Sequence, residues 1–230
     1  MPHPDSPIQD PYLGREALFL FDNLISGAMA VNQRAAAWTH GRQLTRLQRA
    51  ACQIIPNGFS IALSIRELVR AGYLFSAEIL LRPLIERVAV ISYLVDTGDQ
   101  ALDLWEQGWP HKTRPPLSKM LDSIKEYSEF DRESISLVRL QEVMRQMTKH
   151  FNSIIHADPD GLDTNIGLTV NKSIGYLSGA SVHNPEKCDY ICYQAVTYIS
   201  LLVKRAADIF PDAAISEGGK VGGGGASLPN

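Results

Sequence analysis

The sequence predicts an all-α fold, a bundle of six or seven helices with an irregular loop or small hairpin inserted before the last one. Three observations carry this. Apolar residues recur at three- and four-residue spacing along most of the chain, the period of an amphipathic helix. The breaks between these stretches are mostly short, which sets neighbouring helices antiparallel. Turn-forming chemistry is concentrated after Asp158, where DPDGLDTN and two short β-prone runs replace the helical pattern.

Residues 1–12 contain four prolines and read as an extended arm. A single domain is expected over 13–211. Its first helix runs from about Gly14 to Thr39 on Leu18, Phe21, Leu24, Ile25, Ala28 and Val31. Gly41 lies in a break. A second helix is expected over about Leu44–Ala71, with Pro56 kinking it and Gly72 as a C-terminal cap.

The centre of the chain is LFSAEILLRPLIERVAVISYLV, residues 74–95. It is apolar on nearly every side, so its helix, about Leu74 to Thr97, is buried on nearly every side. Gly98 stops it, and Pro83 bends it near Arg82. Glu78, Arg82 and Glu86 are spaced four apart and form one line on this helix. Charges on a buried helix are costly unless each is paired, so the line reads as an ion network that fixes the helix or underlies a polar site. In that network Glu86→Leu is expected to cost stability by stranding Arg82.

A short helix, Gln100–Gln107, comes next, followed by the proline-rich loop WPHKTRPP. A helix over Leu117–Tyr127 is expected, then a longer one from Asp131, its cap, to about His156. Asn184-Pro185 starts the last helix, about 185–210, with Ile191, Val196, Ile199, Leu202 and Val203 on its buried face. The glycine-rich tail, 212–230, is expected to be disordered.

The formal net charge of −3 gives no global basic signal, so nucleic-acid binding would need a local patch of Lys and Arg. The three cysteines show no disulfide pattern, and no basic, apolar leader or membrane-length run is evident. A cytoplasmic location, with no membrane, follows as the expectation.

Several constellations could carry chemistry. On the 131–156 helix, Leu140, Met144, Met147, Phe151 and Ile154 form a core stripe. Arg145, Lys149, Asn152 and His156 line the opposite side, with His150 at the flank. A histidine there can move a proton near neutral pH, and an arginine can hold a phosphate. The same pattern also describes a solvated helix face. Glu86 with His156 would make an acid–base couple in which the carboxylate sets the tautomer.

Asp158, Asp160 and Asp163 lack the glycine and glutamate positions of a calcium loop and read as a capped turn. Cys188 and Cys192, with His183 upstream, read as buried thiols rather than zinc ligands. Trp109, His111, Lys112, Arg114 and Lys119 mix aromatic and basic side chains, which suits single-stranded nucleic acid but also an ordinary surface loop. The glycines of GGKVGGGG have no flanking strand and helix and do not form a phosphate loop. No metal or cofactor is expected.

The run from Arg145 to His150, RQMTKH, resembles the Arg-x4-His pattern of HEPN domains. That resemblance implies an all-helical bundle, a metal-independent endoribonuclease or RNA-binding protein of a bacterial defence or toxin type, and a homodimer. It implies that Arg145 contacts the scissile phosphate and that His150 or His156 assists attack by a ribose 2′-hydroxyl. Gln146 stands where that pattern more often has Asn or Asp, and Asn152 where it has an aromatic. Separately, LLRPLIERVAVISYL with FNSIIHADPDG is similar to a bacterial helical family of unknown function, over about residues 59–161. That likeness leaves a non-catalytic, homodimeric interaction module as the alternative.

Overall fold

The computed structural model describes residues 10–110, 112–124, 142, 145–146, 148–153, 166–168, 174–176 and 184–215. The fold is an all-α bundle. Its elements are α1 (Glu16–Thr39), α2 (Arg46–Arg70), α3 (Leu74–Thr97), α4 (Asp99–Glu106), α5 (Leu117–Leu121), β1 (Ile166–Leu168), β2 (Ile174–Tyr176), α6 (Pro185–Ile209) and α7 (Pro211–Ile215). Residues 148–153 are also helical. Among the described residues no helix is long and apolar enough to cross a membrane.

α3 is the hub, as its composition requires. Leu81, Leu84, Ile85, Val88, Ala89, Ile91 and Leu94 are all fully buried. α2 packs along it most extensively and α6 packs against both, while α1 lies on α6 and α2. Gly58 allows the crossing of α2 and α6. A Cβ at that position would overlap Leu202 Cδ1 and touch Arg87 Cβ at 3.5 Å.

The helix ends follow local chemistry. Thr45 and Gln48 form a reciprocal capping box at the start of α2, with bonds of 3.2 and 3.0 Å. α2 ends with Gly72 at positive φ; Tyr73 N–H donates to Leu68 O and Gly72 N–H to Val69 O. This is the glycine-terminated Schellman closure. α4 closes in the same way through Gly108, with Trp109 N–H on Leu104 O. Asn184 caps α6 by accepting from Lys187 N–H at 2.9 Å, with Pro185 as first helical residue. Both α2 and α3 continue through their internal prolines, Pro56 and Pro83.

The inserted segment contains an antiparallel hairpin, Ile166 opposite Tyr176 and Leu168 opposite Ile174. The expected boundaries need three corrections. The helix expected over Leu117–Tyr127 ends at Leu121, and residues 122–124 are not helical. Of the 1–12 arm, residues 10–12 are described, and they are tied to the body: Tyr12 is buried, its hydroxyl accepts from Asn184 N–H at 3.2 Å, and Asp10 pairs with Arg66 at 2.8 Å. The body also extends past 211, because Pro211 begins α7 and Ala213 is buried. The helix expected over 131–156 lies largely outside the described residues, as does the tail beyond 215.

α1 and α6 are held together by charge as well as packing. Arg15 makes a two-pronged bond to Asp189, through Nε at 2.6 Å and through Nη2. The guanidinium holds the Asp189 carboxyl below the usual carboxylate range. Arg66 ties α2 to α1 through Asp22, 2.5 Å away.

Candidate functional site

The site begins with Glu78 on α3. Its side chain is 3% exposed, and a carboxylate taken so fully from water needs partners on both oxygens. It has them. His150 Nε2 is 3.1 Å from Oε1, and Lys187 Nζ is 2.6 Å from Oε2. Three separate elements thus converge on one carboxylate: α3, the helical residues 148–153 and the first turn of α6.

Each partner is placed by local structure. Lys187 sits in the first turn of α6, where the helix dipole disfavours a cation. The Asn184 cap fixes its backbone, and Glu78 supplies the compensating charge. His150 stands beside the fully buried Phe151, with ring centroids 5.6 Å apart. Its side chain remains 40% exposed. With Nε2–H donating to the carboxylate, Nδ1 is the nitrogen left to take up a proton. Tyr190, one turn after Lys187, has its pKa raised by burial and by the Glu78 charge, so it stays a neutral hydroxyl.

Arg145 is directed elsewhere. Its Nη2 lies 2.6 Å from Asp122 Oδ1, beyond the end of α5, and its Nη1 lies 3.7 Å from Glu142. Arg145 and His150 are five residues apart, roughly 140° around a helix, which accounts for their different partners. Lys149 is exposed and Asn152 half-buried on the same segment. His156 lies outside the described residues, so the Glu86–His156 couple does too.

The expected line on α3 is divided. Arg82 Nε pairs with Glu86 Oε1 at 3.3 Å, and Glu86 Oε2 lies 3.6 Å from Arg114 Nη2. Glu78 takes its partners from other elements. The carboxylate that meets a described histidine is Glu78, and the histidine is His150. Lys187 is the site residue that sequence reasoning missed. Its one signal is a lysine at the third position of a capped helix, where the dipole calls for a nearby anion.

A second feature lies farther along α3. The end of α3, α4, residues 112–116 and α5 enclose an open groove of about 740 Å³. Tyr93, Asp96, Lys112, Arg114, Lys119 and Asp122 are among its walls. The His111 of the basic-aromatic loop lies outside the described residues, as do the 158–163 acidic turn and His183. Cys188 and Cys192 are buried in α6. Among the described residues no group of three or more His, Cys, Asp or Glu comes together as a metal site.

Compared with family models, curated proteins and solved structures, the chain matches none of them.

Proposed function

We propose that the chain is an RNA-directed, HEPN-like helical protein that cuts RNA without a metal, with His150 as the acid–base group. The observation that supports this reading is the buried Glu78 carboxylate 3.1 Å from a half-exposed imidazole. A carboxylate so placed orients the ring and, by accepting from Nε2–H, leaves Nδ1 as the nitrogen that can take a proton, which is the geometry a general base needs.

In the proposed step, His150 Nδ1 takes the proton of a ribose 2′-hydroxyl. The 2′-oxygen attacks the adjacent phosphorus, and the bond from phosphorus to the 5′-oxygen breaks. The departing oxygen takes a proton from solvent, leaving a 2′,3′-cyclic phosphate and a free 5′-hydroxyl. DNA, lacking the 2′-hydroxyl, is spared. Arg145 serves as a phosphate contact at the edge of the groove, and His156 is the competing proton carrier.

The test is incubation of the purified protein with labelled RNA in EDTA. Replacement of His150 by alanine is expected to slow cleavage by roughly a hundredfold or more, while His156→Ala retains it. Cleavage unchanged in His150→Ala, or no cleavage by the parent protein, would overturn the reading.

A homodimeric interaction module is the second reading. It is favoured by Leu13, Phe19 and Leu20, large apolar side chains exposed within one short stretch, with Phe19 at 66%. Sedimentation would report a dimer that Phe19→Asp converts to monomer; a parent protein monomeric at every concentration counts against it.

A further inference from the structure

The groove along the end of α3 is not used by the proton chemistry at His150, yet three observations mark it as a binding surface. Its volume, about 740 Å³, falls within the roughly 300–1,000 Å³ of ligand sites. Its loop holds two non-glycine residues in the left-handed region, Trp109 at φ 55° and Lys112 at φ 63°. Such conformations cost energy and persist where the surroundings enforce them, most often at binding sites. Here they set Lys112 in the groove wall and Trp109 against Tyr93, with ring centroids 6.4 Å apart.

The charges suit a polyanion. Lys112, Arg114 and Lys119 line the groove. Lys112 and Lys119 meet no carboxylate among the described residues. The wall also contains two carboxylates, Asp96 and Asp122, against its three cations, and Asp122 pairs with Arg145 at 2.6 Å in the free protein. Arg114 leans toward Glu86 at 3.6 Å, a long contact on an exposed side chain that a phosphate would readily displace. Cations beside an aromatic pair are the combination that grips single strands, phosphates on the charges and bases on the rings.

The groove also lies on the way to His150. Arg145 spans from Asp122, in the groove wall, to the helical segment that carries His150. Along α3, Glu78 is fifteen residues before Tyr93, where the groove wall begins, about 22 Å at the helical rise, a span that several nucleotides of an extended strand would cover.

We infer that this groove is the track for single-stranded RNA, holding the segment that flanks the nucleotide presented to His150. The inference rests on the proposed function for its substrate, but it concerns binding and is measured separately from cleavage. Lys112, Arg114 and Lys119 each contact a phosphate, and the half-buried ring of Tyr93 in the groove wall, with that of Trp109 beside it, receives bases. A paired duplex, its bases already stacked, fits this groove poorly.

The experiment is fluorescence anisotropy with a labelled twelve-nucleotide single-stranded RNA in EDTA, over a range of salt concentrations. The proteins are the parent chain, His150→Ala and the triple variant Lys112→Gln/Arg114→Gln/Lys119→Gln, each checked for native circular dichroism. Three phosphate contacts predict a log–log salt slope steeper by about 2 in the parent than in the triple variant. Affinity should fall at least tenfold in the triple variant and far less in His150→Ala, which keeps all three groove cations. A duplex of the same length and a free mononucleotide should bind at least tenfold more weakly than the single strand. Equal binding by the triple variant overturns the groove assignment even if the parent protein cuts RNA. Groove-dependent binding without cleavage upholds the groove and overturns the catalytic reading. A parent protein that neither binds nor cuts overturns both.

Discussion

Replacing Glu78 by leucine is expected to cost about 3–5 kcal/mol, the usual range when one partner of a buried ion pair is removed. Leucine fills a similar volume, so little of this loss comes from packing. It comes from Lys187, whose side chain is 17% exposed and whose ammonium would lose the carboxylate 2.6 Å away. For a domain of this size each kcal/mol lowers the melting temperature by about 2–4 °C, so the melt should fall by roughly 10 °C. The companion variant Glu78→Leu/Lys187→Met removes the stranded charge with its partner and should recover most of the loss. A single variant as stable as the parent would mean that the carboxylate is solvated and the three elements do not converge on it. Glu78→Gln, which keeps the shape, should be milder. It should also lower the pKa of the Tyr190 hydroxyl by removing the charge that helps raise it.

The second large effect is expected at Gly58, where α2 crosses α6. Alanine there should be close to neutral. Its better helix propensity is worth up to about 1 kcal/mol, and its Cβ must displace the end of Leu202, which is fully buried. Leucine adds three further heavy atoms with no space to receive them. Overpacking of this kind costs typically 1–3 kcal/mol, and Gly58→Leu should reach about 3 because Leu202 and Arg87 press from two sides. Urea denaturation of the series Gly, Ala, Leu checks it. Leu202→Ala placed in the Gly58→Leu background should return part of the stability, since the two side chains compete for one volume. Equal stability across the series would mean that the two helices are not in close contact.

The helices were legible because their signals are local. Gly72 and Gly98 bracket α3, and its apolar run admits no other environment than the centre of a bundle. Asn184 and Pro185 announce α6. The hairpin could be read from two β-prone runs around Asn171 and Lys172, although a loop was equally consistent. The site was legible only in its parts. Spacing four apart suggests that Glu78 pairs along its own helix, whereas its partners come from elements distant in sequence, which periodicity does not encode. His150 was a candidate by its type, and its carboxylate could not be named before the fold brought Glu78 to it. The basic and aromatic character of the 109–119 loop was plain, yet its fold against α3 depends on left-handed residues that are not glycine. The short α7 was hidden by the glycine-rich composition that follows it, although Pro211 suits the first turn of a new helix.

The bonds between Arg15 and Asp189, and between Tyr12 and Asn184, join positions 174 and 172 residues apart. They have a consequence for the order of assembly. As a chain leaves the ribosome from its N-terminal side, α1 emerges long before the helix it rests on exists. Until α6 is made, the apolar side of α1 has only α2 to lie against, and the α3 face meant for α6 stays open. Closing so long a loop delays the reward of these contacts, so the final docking is a late and comparatively slow event. The nascent chain passes through a stage in which its most apolar helix is partly uncovered, a stage in which chaperones would be its natural companions.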